Sequence, residues 1–196
     1  MMVPVATTTR KPAAEKGKRE AILDRAVDLA SAEGLEGLTI GRLASELEMS
    51  KSGLFGHFGS KEELQLATID AAARRFVDAV VEPTLSEPEG APRLRALCDR
   101  YIAYLERRVF PGGCFWGAVT SEFDGRPGPV RDRIRDAVGG WLAELERQAR
   151  IAGVGDPALL AFQVQALVQG ANSSFQMFGD RTAFHRAREA IEVLLP

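Results

Sequence analysis

Cysteine is almost missing from this sequence: Cys98 and Cys114 are the only two in 196 residues, and no CxxC spacing occurs. That excludes a disulfide framework and a cysteine-ligated zinc site, and two plain buried thiols are the expectation. The PGGC turn gives Cys114 a second reading as an exposed thiolate near arginine that senses oxidants. Histidine is just as scarce. His57 and His185 stand alone, and GxSxG, HExxH, GxxxxGK[ST] and DxDxDG are all absent, so the chain is not expected to be an enzyme, and neither a metal nor a cofactor is implied. Gly153, Gly155 and Ala158 have the spacing of a dinucleotide fingerprint, but no strand precedes them and Pro157 interrupts them. Long apolar runs are lacking too. Nothing approaches the roughly 18 to 20 residues of a membrane span, and the leader MMVPVATTTRKPAA has no apolar signal core, so cytoplasmic residence without a membrane partner is expected. Nor does charge of one sign dominate, since the net charge is −2. Its distribution is less even: Arg10, Lys11, Lys16, Lys18 and Arg19 face only Glu15 in the first 19 residues, which suits either a basic arm along a phosphate backbone or a solvated tail.

What the sequence does hold is helical punctuation. Ile40, Leu43, Ala44 and Leu47 recur at i, i+3, i+4 and i+7, a single apolar stripe about two turns long, with Thr39 at the N-cap position. The pattern breaks at Glu48 and Met49, and Ser50 offers a second cap. A new helix therefore begins about three residues after the last one ends, the spacing of a sharp helix-turn-helix. In that second helix Leu54, Phe55 and Phe58 are placed to anchor on the first, leaving Lys51, Ser52, Gly53 and His57 on other faces. Ser60 with Glu63 reads as a capping box that opens a long helix near Lys61. Upstream, Ile22, Leu23, Ala26, Val27, Leu29 and Ala30 form a supporting helix from about residue 15 to 33, with Gly34 as a left-handed C-cap.

The stretch TIGRLASELEMSKSGLFGHFGSKEEL, residues 39–64, resembles the DNA-binding domain of the tetracycline-repressor (TetR) family of bacterial regulators, and the likeness covers residues 15–64. The resemblance implies that the Ser50–Phe58 helix enters the major groove of an operator duplex. Lys51, Ser52, Gly53 and Leu54 would then lie near bases, Thr39, Phe55, His57 and Lys61 near phosphates, with Arg42 and Ser50 in the same contact set. The family usually has tyrosine where this chain has Phe55, so one phosphate-bonding hydroxyl is missing.

Beyond the head, the capped helix runs through Leu64, Ala67, Ala71, Phe76 and Val80 to Pro83 as a connecting rod. Further helices are read at about 93–109, in CFWGAVTSEF, at 130–151, from Pro157 to Phe178 behind an Asp156 cap, and at 182–195. The fold class is all-α, about nine helices: a basic arm over 1–14, a helix-turn-helix DNA-binding domain over 15–61, and a ligand-binding and dimerisation body over 62–196. Leu160, Val164, Leu167, Ala171 and Ser174, with Phe184, Ala187 and Ile191, make the last two helices more apolar and finely stepped than a lone surface hairpin needs. A four-helix interface in a homodimer is the expected use, and the resemblance implies the same dimer. Aromatic residues and uncharged amides in the body, Tyr101, Phe110, Phe115, Trp116, Phe123, Trp141, Phe162, Gln165 and Gln169, are the candidates for an effector cavity that the resemblance also implies. The expected function is a repressor released from its double-stranded DNA operator by a small apolar effector. The alternatives are a DNA-binding adaptor controlled by a protein partner and, remotely, a small helical enzyme.

Overall fold

Thr39, Ser50 and Ser60 all act as caps in the computed structural model, which describes residues 11–196, with side chains from residue 17. The Thr39 hydroxyl accepts from the Arg42 amide at 3.1 Å, Ser50 from Gly53 at 3.1 Å and Ser60 from Glu63 at 3.0 Å. They open α2 (Ile40–Glu46), α3 (Lys51–Phe58) and α4 (Lys61–Phe76). The expected capping box is only half made, because the Ser60 amide donates to the Phe58 carbonyl at 2.8 Å rather than to Glu63. Between α2 and α3, Glu48 takes a positive φ of 52° and the Met49 amide reaches back to the Ala44 carbonyl, which is how so short a link reverses the chain.

The helix before them, α1 (Lys11–Gly37), starts earlier than its apolar stripe does. The basic arm expected over residues 1–14 lies outside the described residues up to position 10, and from Lys11 the backbone is helical. Gly34 does take positive φ, yet with φ 80° and ψ 163° it breaks the helix without ending it, and one more turn follows. Ile22, Ala26, Val27 and Ala30 of α1, Leu43 and Ala44 of α2, and Leu54 and Phe58 of α3 are all buried, closing a three-helix head.

α4 carries the chain from head to body and was expected to run unbroken to Pro83. It widens instead into a π-helical turn over Val77–Val81, then tightens to a 3-10 turn over Glu82–Thr84. Pro83 donates no amide and its ring crowds the carbonyl four residues earlier, so the α-helical ladder cannot continue into it. The body is completed by α5 (Ala91–Glu106), α6 (Phe115–Phe123), α7 (Pro129–Ile151), α8 (Pro157–Phe178) and α9 (Thr182–Leu194). Asp156 accepts from the Leu159 amide at 3.0 Å to start α8, and Gly179 ends it in the left-handed conformation. The described residues form nine α-helices and no strand.

Phe76, at the end of α4, is the hub of the body. Its ring meets Tyr101, Tyr104, Trp116 and Trp141 edge-on, with centroids 5.7, 5.4, 6.4 and 5.2 Å away. Cys98 and Cys114 are both buried, and burial pushes the Cys98 thiol up to about 12. The loop before α6 rests on α1, where the Gly112 amide donates to Ser31 Oγ at 3.1 Å, and a Cβ at Gly112 would land on the Ser31 carbonyl. Gly112→Ala is therefore expected to cost about 1–3 kcal/mol of unfolding free energy, as overpacking does. Urea denaturation followed by circular dichroism measures it, and an unchanged midpoint would contradict the close approach.

Candidate functional site

The α3 helix turns Leu54 and Phe58 inward, and this sets what its other faces offer. Lys51, Ser52, Gly53, Phe55 and Gly56 are exposed, His57 is half-buried, and two glycines leave the backbone bare along the outer surface. Leu54 is fully buried and holds α3 in the head, so its expected place near bases is corrected: a side chain with no exposed surface cannot reach a base edge. Phe55, at 54% exposure, contributes little to the anchoring expected of it.

The cations around this helix differ in how far they are committed. The Arg42 guanidinium is held by Glu33 at 2.9 and 3.3 Å and by Glu46 at 2.7 Å, hydrogen bonds that hold it protonated. Glu46 also pairs with Arg25. Lys61 Nζ donates to the Glu36 carbonyl at 2.9 Å and its carboxylate at 3.0 Å, and that contact holds the Glu36 carboxyl below its usual range. Lys51 lies over Gly41, and among the described residues no carboxylate pairs with it. The Thr39 hydroxyl accepts an amide proton as a cap and keeps its own proton to donate, while the Ser50 hydroxyl, a cap in the same way, also shares a hydrogen bond with the Ser52 hydroxyl at 3.3 Å. The head thus presents, on the α3 side, an exposed lysine at position 51, short hydroxyls and bare backbone, the chemistry that suits a phosphate-lined groove.

A cavity of about 450 Å³ opens in the body beside the hub. Its walls include Phe76, Val77 and Val81 from the end of the rod, and Tyr101, Trp116 and Trp141 from the body helices. Glu144, Arg147 and Asp136 stand on its lining as well, but Glu144 and Arg147 are joined at 2.9 and 3.0 Å and Asp136 pairs with Arg135. Behind the rings a polar relay is complete. Gln165 Oε1 accepts from the Tyr101 hydroxyl at 3.1 Å and from Trp141 Nε1 at 3.3 Å, and Gln169 Nε2 donates to the Tyr101 oxygen at 2.8 Å and to Cys114 Sγ at 3.1 Å. Burial, and Cys114 nearby, push the Tyr101 hydroxyl well above its ordinary range, so it stays a neutral donor.

Of the residues expected here, Tyr101, Trp116 and Trp141 line the cavity, and Gln165 and Gln169 form the relay behind it. The others are corrected. Phe110, Phe115 and Phe123 are packed into the core and do not line it, while Phe162 is 67% exposed on the outside of α8. An aromatic ring in a helical body goes to core, cavity or surface according to helix phase, which composition does not reveal. Phe76, Val77 and Val81 were missed; the FVDAVV run, apolar on more than one face of the rod, was the signal available.

The last two helices need the same correction of phase. Leu160, Val164, Ala171, Phe184, Ala187 and Ile191 are buried within the protomer, and Leu167 and Ser174 are half-buried. On α8 the inward face is taken by Leu160, Ala161, Val164, Val168 and Ala171, which leaves the adjacent stripe outward. Leu159, Phe162, Ala166, Gly170, Ser173 and Met177 follow one another at three- and four-residue steps on the exposed side of α8, and Phe178 extends them. A shallow groove lined by Leu167, Gly170, Ser174, Ala183 and Ala190 runs between α8 and α9.

Comparison with known proteins assigns this architecture. Residues 22–68 match the model of the bacterial regulatory proteins of the tetR family, and residues 90–191 match that of the tetracyclin repressor-like C-terminal domain. The chain is 26% identical to the nucleoid occlusion factor SlmA of Cronobacter sakazakii over 171 residues, 84% of this chain and 86% of that protein. Among solved structures it resembles a TetR transcriptional regulator from Chloroflexus aurantiacus, with TM-score 0.84, 22% identity, and coverage of 92% and 95% of the two chains. It also resembles AibR, solved with isovaleryl coenzyme A and operator DNA, at TM-score 0.72 and 24% identity over 90% and 97% of the chains. With its capped helix-turn-helix head, its all-helical body and both halves matched, the chain belongs to the TetR family of DNA-binding transcriptional regulators.

Proposed function

We propose that this protein is a homodimeric repressor that holds a double-stranded DNA operator through α3 and lets go when an uncharged apolar molecule fills the body cavity. In this reading residues 15–61 are the DNA-binding domain and residues 62–196 bind effector and partner subunit. The observation that carries it is the outer face of α3, where Lys51, Ser52, Gly53 and Gly56 stand exposed on a helix anchored by Leu54 and Phe58. Lys51, whose ammonium lies back over Gly41 at the start of α2, is assigned here to phosphate and not to the bases that the resemblance implied; Ser52 and Gly53 lie at base edges, and Thr39, Ser50, Phe55 and His57 flank the backbone. Arg42 and Lys61, already paired, act by orienting the head and contribute less to affinity.

The effector class follows from the cavity. Its rings are apolar, its buried polar atoms are already bonded to one another, and its mouth charges are paired, so a charged guest would find no counter-ion waiting. An apolar, ring-lined site of this kind favours an effector over control by a protein partner alone. A ligand that prefers the DNA-released shape by about 1.4 kcal/mol lowers operator affinity tenfold. Dimerisation through the outward stripe of α8 and the α8–α9 groove sets the two heads at a fixed separation, so each half-site adds to the other.

Three measurements test this. Lys51→Ala is expected to lower the slope of log affinity against log salt by about 0.9 per head, while Arg42→Ala and Lys61→Ala change it less; equal slopes for Lys51→Ala and wild type would remove Lys51 from the interface. Gly140 lines the cavity and an added Cβ there meets nothing within 4 Å, so a side chain can leave the backbone freely at that point, and Gly140→Trp is the variant chosen to fill the space. Binding of Nile red, an uncharged apolar dye, is expected to weaken by about tenfold or more in that variant, and Nile red held as tightly as by wild type would place the effector elsewhere. Phe162→Glu, placing a charge in the outward stripe, is expected to shift the protein to monomer in sedimentation; a dimer as tight as wild type would move the interface elsewhere.

A further inference from the structure

Body and head touch at a second place besides α4, and the contact there is polar and specific. From α6, Glu122 reaches the single helical turn that follows the break at Gly34: Oε2 accepts from the Leu35 amide at 2.7 Å and Oε1 from the Glu36 amide at 2.9 Å. Amides that open a helical turn have no partner within their own helix, so the carboxylate supplies one from another part of the fold. Gly34 is shaped around it. At φ +80° a Cβ there would sit 2.7 Å from Glu122 Oε1, leaving room only for glycine.

The residues beside this contact tie in the remaining elements. Glu36 accepts Lys61, the first residue of α4, at both its carbonyl and its carboxylate, and Gln65 Nε2 on the next turn of α4 donates to the Leu35 carbonyl at 2.8 Å. The Ser31–Gly112 bond fixes the loop before α6 to α1 one turn earlier. The end of α1, the start of α4 and the end of α6 therefore meet in one junction, built over the fully buried Leu35. At the other end of α6, about two turns and roughly 9 Å away, Trp116 walls the cavity.

We propose that Glu122 is a positioning residue for operator binding: through its two amide bonds α6 fixes the angle at which the head leaves the body, and so the separation of the two α3 helices in the dimer. The proposal rests on the operator-binding function above. A cap that only stabilised α1 would alter melting temperature alone. A positioning contact alters which half-site separation the dimer accepts while the half-site itself, read by an intact α3, stays the same.

The test uses the full-length protein as wild type, Glu122→Ala and Glu122→Gln, each selecting duplexes from a random double-stranded pool, with half-site sequence and separation read by sequencing. Wild type is expected to return one half-site at one separation. Glu122→Ala is expected to return the same half-site at several separations and to bind the wild-type duplex about tenfold, or about 1.4 kcal/mol, more weakly, because the freed heads must be ordered when they bind. Glu122→Gln, whose amide oxygen can keep one of the two bonds, falls between, and hydrogen exchange at the Leu35 and Glu36 amides follows the same order. A Glu122→Ala protein that keeps the single separation, or that loses only thermal stability, overturns the positioning role and leaves the regulator reading standing. Wild type that selects no duplex at all overturns that reading and the positioning role with it. Should Glu122→Ala not fold, Glu122→Gln decides: unaltered separation and unaltered exchange at both amides overturn the proposal.

Discussion

The body of this protein is hung on one phenylalanine. Phe76 occupies the last α-helical turn of the rod, and the four aromatic side chains that meet its ring come from α5, α6 and α7. Edge-on contacts of this kind have directional preference as well as buried area, so they fix how those helices stand around the rod and do more than glue them to it. Immediately beyond, the ladder widens into its π-helical turn, and Val77 and Val81 face the cavity from that stretch. The widest turn of the rod thus lies against the space a guest would occupy, and the same rod begins at the base of the reading head. π-helical turns are often found at functional sites because they re-aim side chains at the cost of regular hydrogen bonding.

Electrostatics in the head follow a similar economy. With Arg42 shared between Glu33 and Glu46, and Lys61 bonded to Glu36, much of the positive charge near α3 is spent on holding helices in register. Ion pairs this exposed are individually weak, and their use here is geometric: Arg42–Glu33 ties α1 to α2 and Lys61–Glu36 ties α1 to α4, while Arg42–Glu46 lies within α2. Lys51 stays exposed on α3 and, in the proposed reading, is left for the duplex.

Local signals were legible in the sequence, and relational ones were not. Thr39, Ser50, Ser60 and Asp156 announce helix starts because a cap is satisfied within three residues of itself, and Gly179 ends α8 for an equally local reason. The stripe Ile22, Ala26, Val27 and Ala30 identifies a buried face because helical period alone dictates it. Leu54, Phe162 and Leu160 were misplaced because their roles depend on which side of a helix meets a neighbour. Leu160 and Phe162 differ by two positions, or about 200° around the helix, which is enough to send one to the core and the other to solvent. Gly34 and Glu122 lie too far apart in sequence for any pattern to have linked them, and only the folded chain shows why that glycine stands there.

The outward stripe of α8 has a consequence for the cell as a whole. With Phe162, Met177 and Phe178 each about two-thirds exposed or more, a solitary chain presents an adhesive surface that, in the proposed dimer, a second copy hides. If pairing is what makes the chain persist, active regulator accumulates with the square of synthesis at low abundance, and mass action turns a modest change in gene dosage into a steeper change in promoter occupancy.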